Sequence, residues 1–312
     1  MFAVRIQGGL GNQIFQYLFA LELKKQHPDV KVCIDLNSYN RFDPHNGYEL
    51  KKWIVMNPEI GTLTGWEHFR LTGQLPYVGS RKLMASAASG AKLLRKFTGA
   101  VNRCIAFANR FLPKKPGVIC QEYTHGYPQV VPENLDPASD LYFDGTWFSQ
   151  TVSPAVLREG LCFRPQEDSE FLRLARQLAG ETSVGIHIRH GDYPAWGYEV
   201  LSEEYYRNAI TYMLEQLDEP RFYIFSDDPE FARTVVAPMC EGRAVVMDRN
   251  NAKNACLDLQ LMTYCRHHII ANSTFSYVAW LLSDRQGLLI APKTWINGNT
   301  TWDIPHCHYL EQ

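Results

Sequence analysis

Val184-Gly-Ile-His-Ile-Arg-His-Gly-Asp-Tyr193 is the stretch on which the reading of this chain turns. Its first half is a β-branched run, Val184, Ile186 and Ile188, which predicts a buried strand. The run then breaks into His187, Arg189, His190 and Asp192, and Pro194 follows. In an open α/β sheet the ligand lies beyond the carboxyl ends of the strands, so a polar cluster there points to binding. Arg189 brings a planar fork of donors that fits a phosphate or diphosphate at two points. The plainer alternative is that Arg189 and Asp192 pair with each other at a domain surface. Neighbouring strand ends shift that balance.

Toward the carboxyl terminus the pattern alternates. The strand at 184–188 precedes a helix opened by Ser202, with Glu203 and Glu204 in its first turn. A strand from Phe222 to Ser226 leads to a helix with Asp228 as cap and Pro229 at its first position. Strand Ala244–Met247, helix 254–266 and strand His268–Ala271 come next. The loop Asn272-Ser-Thr274 then feeds a helix over 275–284, and Gly287–Ala291 closes as the last strand. Five strands with helices between them predict a parallel α/β sheet.

Three of these strand ends are polar: His187/Arg189/Asp192, Ser226/Asp227/Asp228 and Asn272/Ser273/Thr274/Ser276. Parallel strands point one way, so all three ends fall along one edge. The stretch Asn272-Ser-Thr-Phe-Ser276 opens a helix, whose unpaired amides and positive dipole end favour phosphate. Together with Arg189 it forms a candidate diphosphate clamp. Asp227 or Asp228 suits the paired N–H donors of guanine or the hydroxyls of a ribose, although capping alone accounts for Asp228. The two carboxylates also admit a magnesium reading. Arg189 and the helix entrance already supply the positive charge, so the favoured reading has no metal site. His306-Cys-His308 and Cys265-x-His267-His268 match no common zinc spacing.

The amino-terminal half opens as a second α/β unit. Residues 2–7 read as a strand, Gly8-Gly-Leu-Gly11 as a tight turn, and a helix opens near Asn12 and runs to about Gln26. Val30–Leu36 is the next strand. Gly9 and Gly11 with Asp35 suggest a dinucleotide fingerprint, but Ile14 stands where the third glycine belongs. Asn12 and Gln13 instead bring two amide side chains to the helix entrance, suited to hydroxyls or a developing charge. Residues 37–77 are turn-rich, and their elements are not assigned. Residues 78–117 hold nine Lys or Arg and no Asp or Glu, with apolar residues at near-helical spacing. Such a helix lies on an anionic membrane face or is a surface helix with a basic side, and the second is the commoner case. Tyr142, Phe143, Trp147 and Phe148 suit a core layer or a sugar-stacking surface. The crossing between units falls near Cys162-Phe-Arg-Pro165, ahead of an acidic helix over 167–180, which predicts domains 1–165 and 166–312.

Composition narrows the class. At 312 residues the chain has room for two cores, and 46% hydrophobic with 12% aromatic residues is enzyme-like. A formal charge of −2 gives no field for nucleic acid. The first residues lack the features of a signal peptide, and no run of 18–20 apolar residues is present. The eight cysteines are dispersed without Cys-x-x-Cys, which fits reduced thiols and a cytoplasmic setting.

Taken together, GGLGNQIFQY (8–17), IHIRHGDY (186–193), FSDDPEF (225–231) and ANSTFSYVAWLL (271–282) resemble the bacterial α-1,2-fucosyltransferases of glycosyltransferase family 11. The motifs span nearly the whole chain, leaving 37–160 uncovered. The resemblance implies a GT-B architecture of two Rossmann-like domains facing across a cleft, with the donor in the second. It implies inverting transfer of L-fucose from GDP-fucose to a glycan hydroxyl, galactose O2 in the family, with no cofactor and no obligatory metal. By position, Arg189 is similar to the family's diphosphate-gripping arginine, and His187 to a residue near the nucleoside. Asp192 closes that motif. Asp227 and Asp228 match the guanosine-contacting pair, and Ser273, Thr274, Phe275 and Ser276 the phosphate-holding loop. Asn12 and Gln13 resemble the amide pair beside the reacting centre. His190 stands where many relatives carry a second arginine, which predicts local pH sensitivity. The expected acceptor is a surface-polysaccharide precursor at the inner membrane face, which would give the 78–117 segment a purpose. A dinucleotide-dependent oxidoreductase built on the 8–11 turn and Asp35 is the competing reading, and it leaves the 187–192 cluster without a role. A non-enzymatic, membrane-peripheral module centred on 78–117 is a third.

Overall fold

The structure is a computed structural model that describes residues 1–41, 46–74, 100–101, 104, 117–120, 123–124, 127–128, 134–147, 152–191, 193, 199–296, 299–300, 304 and 306–311. The chain divides into two units: Met1–Tyr123 with Pro128–Cys162, and Thr124–Tyr127 with Phe163–Gln312. Most of the basic 78–117 segment, Phe148, Asp192 and Pro194 lie outside the described residues.

In the first unit, strand β1 (Phe2–Arg5) runs into helix α1 (Leu10–Gln26) and strand β2 (Val32–Asp35). Gly8 makes the turn between them at φ +80°, where a Cβ would also press to 2.7 Å from the Asn12 amide nitrogen. The helix therefore starts at Leu10, two residues before its expected opening. Ile14, Phe15, Tyr17, Leu18 and Phe19 are all buried, so α1 carries apolar residues on more than one face. Residues 37–77, unassigned from sequence, supply strand β3 (Ile60–Thr62) and helix α2 (Gly65–Thr72). A reciprocal capping box between Thr64 and Glu67 starts that helix, and Gly73 at φ +72° ends it. Strands β4 (Val118–Cys120) and β5 (Leu141–Asp144) complete a parallel sheet in the order β3-β2-β1-β5-β4. Tyr142, Phe143 and Trp147 are buried, with Trp147 stacked on Phe19 at 4.6 Å, so these aromatics are core.

The second unit begins with helix α3 (Ser169–Gly180), capped by Asp168, and strand β6 (Ser183–Ile188), every residue of which is buried. Helix α4 (Glu203–Gln216) is capped by Ser202, whose hydroxyl accepts from the Tyr205 amide, as its sequence predicts. Strand β7 (Arg221–Ser226) leads to helical turns over 229–239, capped by Asp228. Strand β8 (Ala244–Met247), helix α5 (Ala255–Thr263), strand β9 (His267–Ile269), helix α6 (Thr274–Leu281) and strand β10 (Leu289–Pro292) follow. The expected five strands are six. Strand β11 (Cys307–Leu310) pairs in parallel with β10, setting Cys307 beside Leu289. Its four residues carry no β-branched run, and the open edge of β10 is what makes them a strand. Val184, Ile186, Ile188, Tyr205, Tyr206, Phe222 and Ile224 form the centre of this core.

The sheet order β8-β7-β6-β9-β10-β11 is that of a doubly wound nucleotide-binding sheet, 3-2-1-4-5-6 in chain order. Its topological switch point lies between β6 and β9. There the chain leaves the two strands in opposite directions and opens a crevice at the carboxyl edge. Arg189 directly follows β6, and Asn272 lies three residues beyond β9.

Candidate functional site

Arg189 leaves β6 beside the end of β7. Its Nη1 lies 2.8 Å from Asp227 Oδ2, so its carboxylate partner comes from the neighbouring strand. The expected surface pair with Asp192 falls on a residue outside the described set. Asp227 Oδ1 accepts the His190 backbone N–H at 2.8 Å. One carboxylate thus pins both the guanidinium and the main chain of the loop. The guanidinium also lies over the Tyr193 ring, 5.4 Å from its centroid. The Tyr193 hydroxyl donates to the Asn272 carbonyl at 2.8 Å. Arg189 and the loop that opens α6 are thereby brought together. A quarter of the Arg189 side chain remains exposed, enough to meet a ligand.

His187 ties the same two elements from below. Its ring stacks on Phe275 at 5.3 Å, and its backbone carbonyl accepts from the Tyr206 hydroxyl. Burial pushes its pKa down to about 3 against the raising effect of Asp227, while Arg189 adds to the depression. The imidazole is therefore neutral, and its buried Nδ1 has no hydrogen-bond partner among the described residues.

At the start of α6 the side chains divide into two groups. Asn272 is buried, and its amide donates to the carbonyls of Glu199 and Trp295, both at 3.0 Å. Ser276 is fully buried and donates to the Ser273 carbonyl. Both side chains hold the loop's shape, and the buried Asn272 Oδ1 has no hydrogen-bond partner among the described residues. Ser273 caps the helix, its hydroxyl accepting from the Phe275 amide at 3.3 Å. Partial positive charge at this position comes from the helix dipole and the first-turn amides around Thr274.

Asp228 accepts the Phe231 amide as an N-cap, and its Oδ2 sits 3.5 Å from His190 Nδ1. Asp227 and Asp228, the expected guanosine-contacting pair, each hold a protein group and each keep part of the carboxylate exposed. Sequence reading missed another carboxylate nearby in the chain. Asp258, in the first turns of α5, accepts from the Asn250 amide at 2.5 Å, and Asn250 in turn accepts from Asn254. Burial raises its pKa to about 7, opposed by the Asn250 hydrogen bond. Its sequence signal, Asn250, Asn254 and Asp258 at intervals of four, reads only as helix-surface polarity until the loop folds over it.

In the first unit the glycine turn does not build a ligand site around Gln13. That side chain is fully buried; its amide donates to the carbonyls of Gly8 and Gly47 and accepts from the Glu49 amide. It stitches three loop positions together. Gly9 is the α1 cap, Gly11 is buried in the first turn, and Asn12 is half-buried beside Gly8. Asp35 is also buried. Its carboxylate receives His68 Nδ1 at 2.8 Å, the Tyr142 hydroxyl at 2.6 Å and the Asn37 amide at 2.9 Å. A ribose acid needs exposed oxygens, so the dinucleotide reading loses its key residue.

Residues 166–304 match the family model described as glycosyl transferase family 11. The match lies within the carboxyl-terminal unit. The chain is a glycosyltransferase, and the similarity extends beyond the matched 139 residues. An Escherichia coli alpha-1,2-colitosyltransferase is 28% identical over 304 residues, covering 93% of this chain and 91% of its own. The Escherichia coli O-antigen biosynthesis glycosyltransferase WbnK is 24% identical, with 94% of each chain covered. Among solved structures, fucosyltransferase NodZ from Bradyrhizobium is 12% identical at a TM-score of 0.43, covering 92% of this chain and 96% of its own. The two parallel-sheet α/β domains are those expected of the family.

Proposed function

We propose that this glycosyltransferase moves L-fucose from GDP-fucose, with inversion, to O2 of a galactose residue on a surface-polysaccharide precursor. The observation that carries the reading is the joining of Arg189 to the start of α6 through Tyr193, at the sheet's switch point. Cleavage of the sugar–phosphate bond leaves an oxocarbenium-like fucosyl group and adds negative charge to GDP. A guanidinium and a helix entrance aimed at that charge bind the transition state more tightly than the substrate, which lowers the barrier. The acceptor hydroxyl attacks from the opposite face of the sugar. Guanosine is assigned to Asp227 and Asp228, whose carboxylates stay partly exposed, with Asp258 proposed as a further acceptor for the N1–H and N2–H donors of guanine. His187, neutral and packed on Phe275, keeps the site's wall in register without adding charge.

Charge compensation in this scheme comes from Arg189 and the α6 dipole, with no divalent cation. Among the described residues no helix is long and apolar enough to cross a membrane. A peripheral, inner-face position through the basic 78–117 segment is part of the proposal.

The test is incubation with GDP-fucose and a panel of galactose-terminated glycans, with the new linkage read by NMR. Formation of an α-1,2-fucosyl galactoside supports the assignment. Colitose is L-fucose without its 3-hydroxyl, so GDP-colitose is run beside it. Transfer of colitose alone, or of neither sugar, overturns the donor assignment.

A further inference from the structure

The first unit contains a polar cavity that the glycine motif did not foretell. It measures about 220 Å³ and lies at the carboxyl edge of its sheet, walled by Arg5, Asp35, Asn37, His68, Gln74 and Asp144 among others. That is room for several waters or for a ligand of about one sugar ring.

The described wall sets two carboxylates, Asp35 and Asp144, against one guanidinium, Arg5, and is net negative. Arg5 Nη1 donates to both Asp144 oxygens, at 3.0 and 2.8 Å, and Arg5 Nε donates to the Ser38 hydroxyl at 2.8 Å. Asp35, on the floor, has its pKa lowered by the His68 and Tyr142 hydrogen bonds although burial, the largest influence, opposes them. An ionised carboxylate only accepts, so His68 Nδ1 carries the proton that it shares with Asp35. His68 Nε2 then faces the Asn37 amide nitrogen at 3.2 Å as an acceptor. The rim is built from half-buried groups, Asn37, Gln74 and the Arg5–Asp144 pair, which hold donors and acceptors at fixed angles.

An anion brought against two carboxylates and one already paired guanidinium meets no unmatched cation among the described residues. A neutral polyol meets acceptors, donors and planar amides within hydrogen-bond reach. We infer that this cavity binds the terminal sugar of the acceptor, and that it selects an uncharged pyranose against uronic and sialic acid residues. The inference rests on the transferase reading. It assigns specificity to Asn37, Gln74 and the Arg5–Asp144 pair, with Asp35 and His68 as the positioning residues beneath them.

Binding is measured without nucleotide, by ligand-observed NMR with lactose and with methyl β-D-glucuronide, on the wild-type chain and on Asn37→Leu and Gln74→Leu. Each variant removes rim hydrogen bonds without touching the sheet, and its melting curve checks that it folds. Lactose is expected to bind wild type, with each variant weakened by about fivefold, the worth of one hydrogen bond. The glucuronide is expected to give no signal. Equal binding of the glucuronide, or lactose binding unchanged in both folded variants, overturns the inference. Thermal protection by GDP separates the two claims. Protection with unchanged lactose binding in the variants sinks the acceptor cavity alone. Variant-sensitive lactose binding without GDP protection sinks the donor reading and leaves a sugar site.

Discussion

The Tyr193 hydroxyl donates a 2.8 Å hydrogen bond to the backbone carbonyl of Asn272, joining the loop after β6 to the loop before α6. The same ring lies against the Arg189 guanidinium. One side chain therefore sets the spacing of the two groups expected to receive the leaving charge. Tyr193→Phe keeps the ring and removes the tie. Loss of one neutral hydrogen bond is worth about 1 kcal/mol, so kcat/KM is expected to fall by about fivefold with little change in melting temperature. Steady-state kinetics with an unchanged kcat/KM would show that the tie has no role in catalysis.

Arg189→Lys replaces a fork with a point charge that cannot hold Asp227 and a diphosphate together. Loss of an electrostatic donor of this kind typically costs about 100- to 1000-fold in rate, and that drop is expected in kcat. Asp227→Asn is expected to lower kcat as well, because Asp227 orients both the guanidinium and the His190 amide. The double variant should fall short of the product of the two single losses, since both act through one contact. Fully additive losses would place the two residues in separate roles.

With Asp258 proposed as a guanine acceptor, its carboxyl, raised to about 7 by burial, predicts a pH dependence of GDP binding. Below that value it is protonated and cannot accept from both guanine donors. GDP affinity is expected to rise as pH increases through about 7, and calorimetric titration across pH 6–8 reads it. The sign for stability is opposite. A group whose folded pKa lies above its unfolded value of about 3.9 contributes stability below that value, and the contribution is lost as pH rises through about 7. Asp258→Asn should flatten both profiles and weaken the preference for GDP over ADP. A GDP affinity that is flat in wild type from pH 6 to 8 would remove Asp258 from the base site.

Gln13→Ala should act on stability and not on chemistry. The change orphans the Gly47 carbonyl and the Glu49 amide, which the buried side chain now satisfies. An unsatisfied buried group costs about 1–3 kcal/mol, so a loss of at least ~2 kcal/mol in unfolding free energy is expected by denaturant titration. Turnover per folded molecule should stay within about twofold, well under the loss expected for a catalytic group. A kcat loss comparable to that of Arg189→Lys would restore Gln13 to the reacting centre.

Chelation provides a check on how charge is compensated. With Arg189 and the α6 dipole supplying the positive charge, EDTA-treated protein is expected to keep its transfer rate. A loss that is restored by magnesium or manganese would assign that role to a cation.

Much of the second sheet was legible in the sequence. The cap positions Ser202 and Asp228 and the polar ends after β6, β7 and β9 follow from hydrophobic runs and local hydrogen-bonding chemistry. Thr64 and Glu67 spelled a capping box that the turn-rich surroundings hid. Strand β11 was not legible, because a four-residue edge strand is set by the strand it joins and not by its own residues. Asp35 was likewise open to opposite readings. It ends a strand where a ligand carboxylate belongs, yet its oxygens are taken by His68, Tyr142 and the Asn37 amide.

The sequence by itself determined the alternation of strand and helix, and with it the edge to which Arg189, Asp227 and Ser273 belong. Side-chain periodicity and capping act over a few residues, so they survive in the linear chain. Only the tertiary structure decided that Arg189 pairs with Asp227, that Gln13 and Asp35 are enclosed, and that Asp258 has a raised pKa. Those outcomes depend on which strands become neighbours and how much water is displaced, and both are set by contacts between residues far apart in the chain.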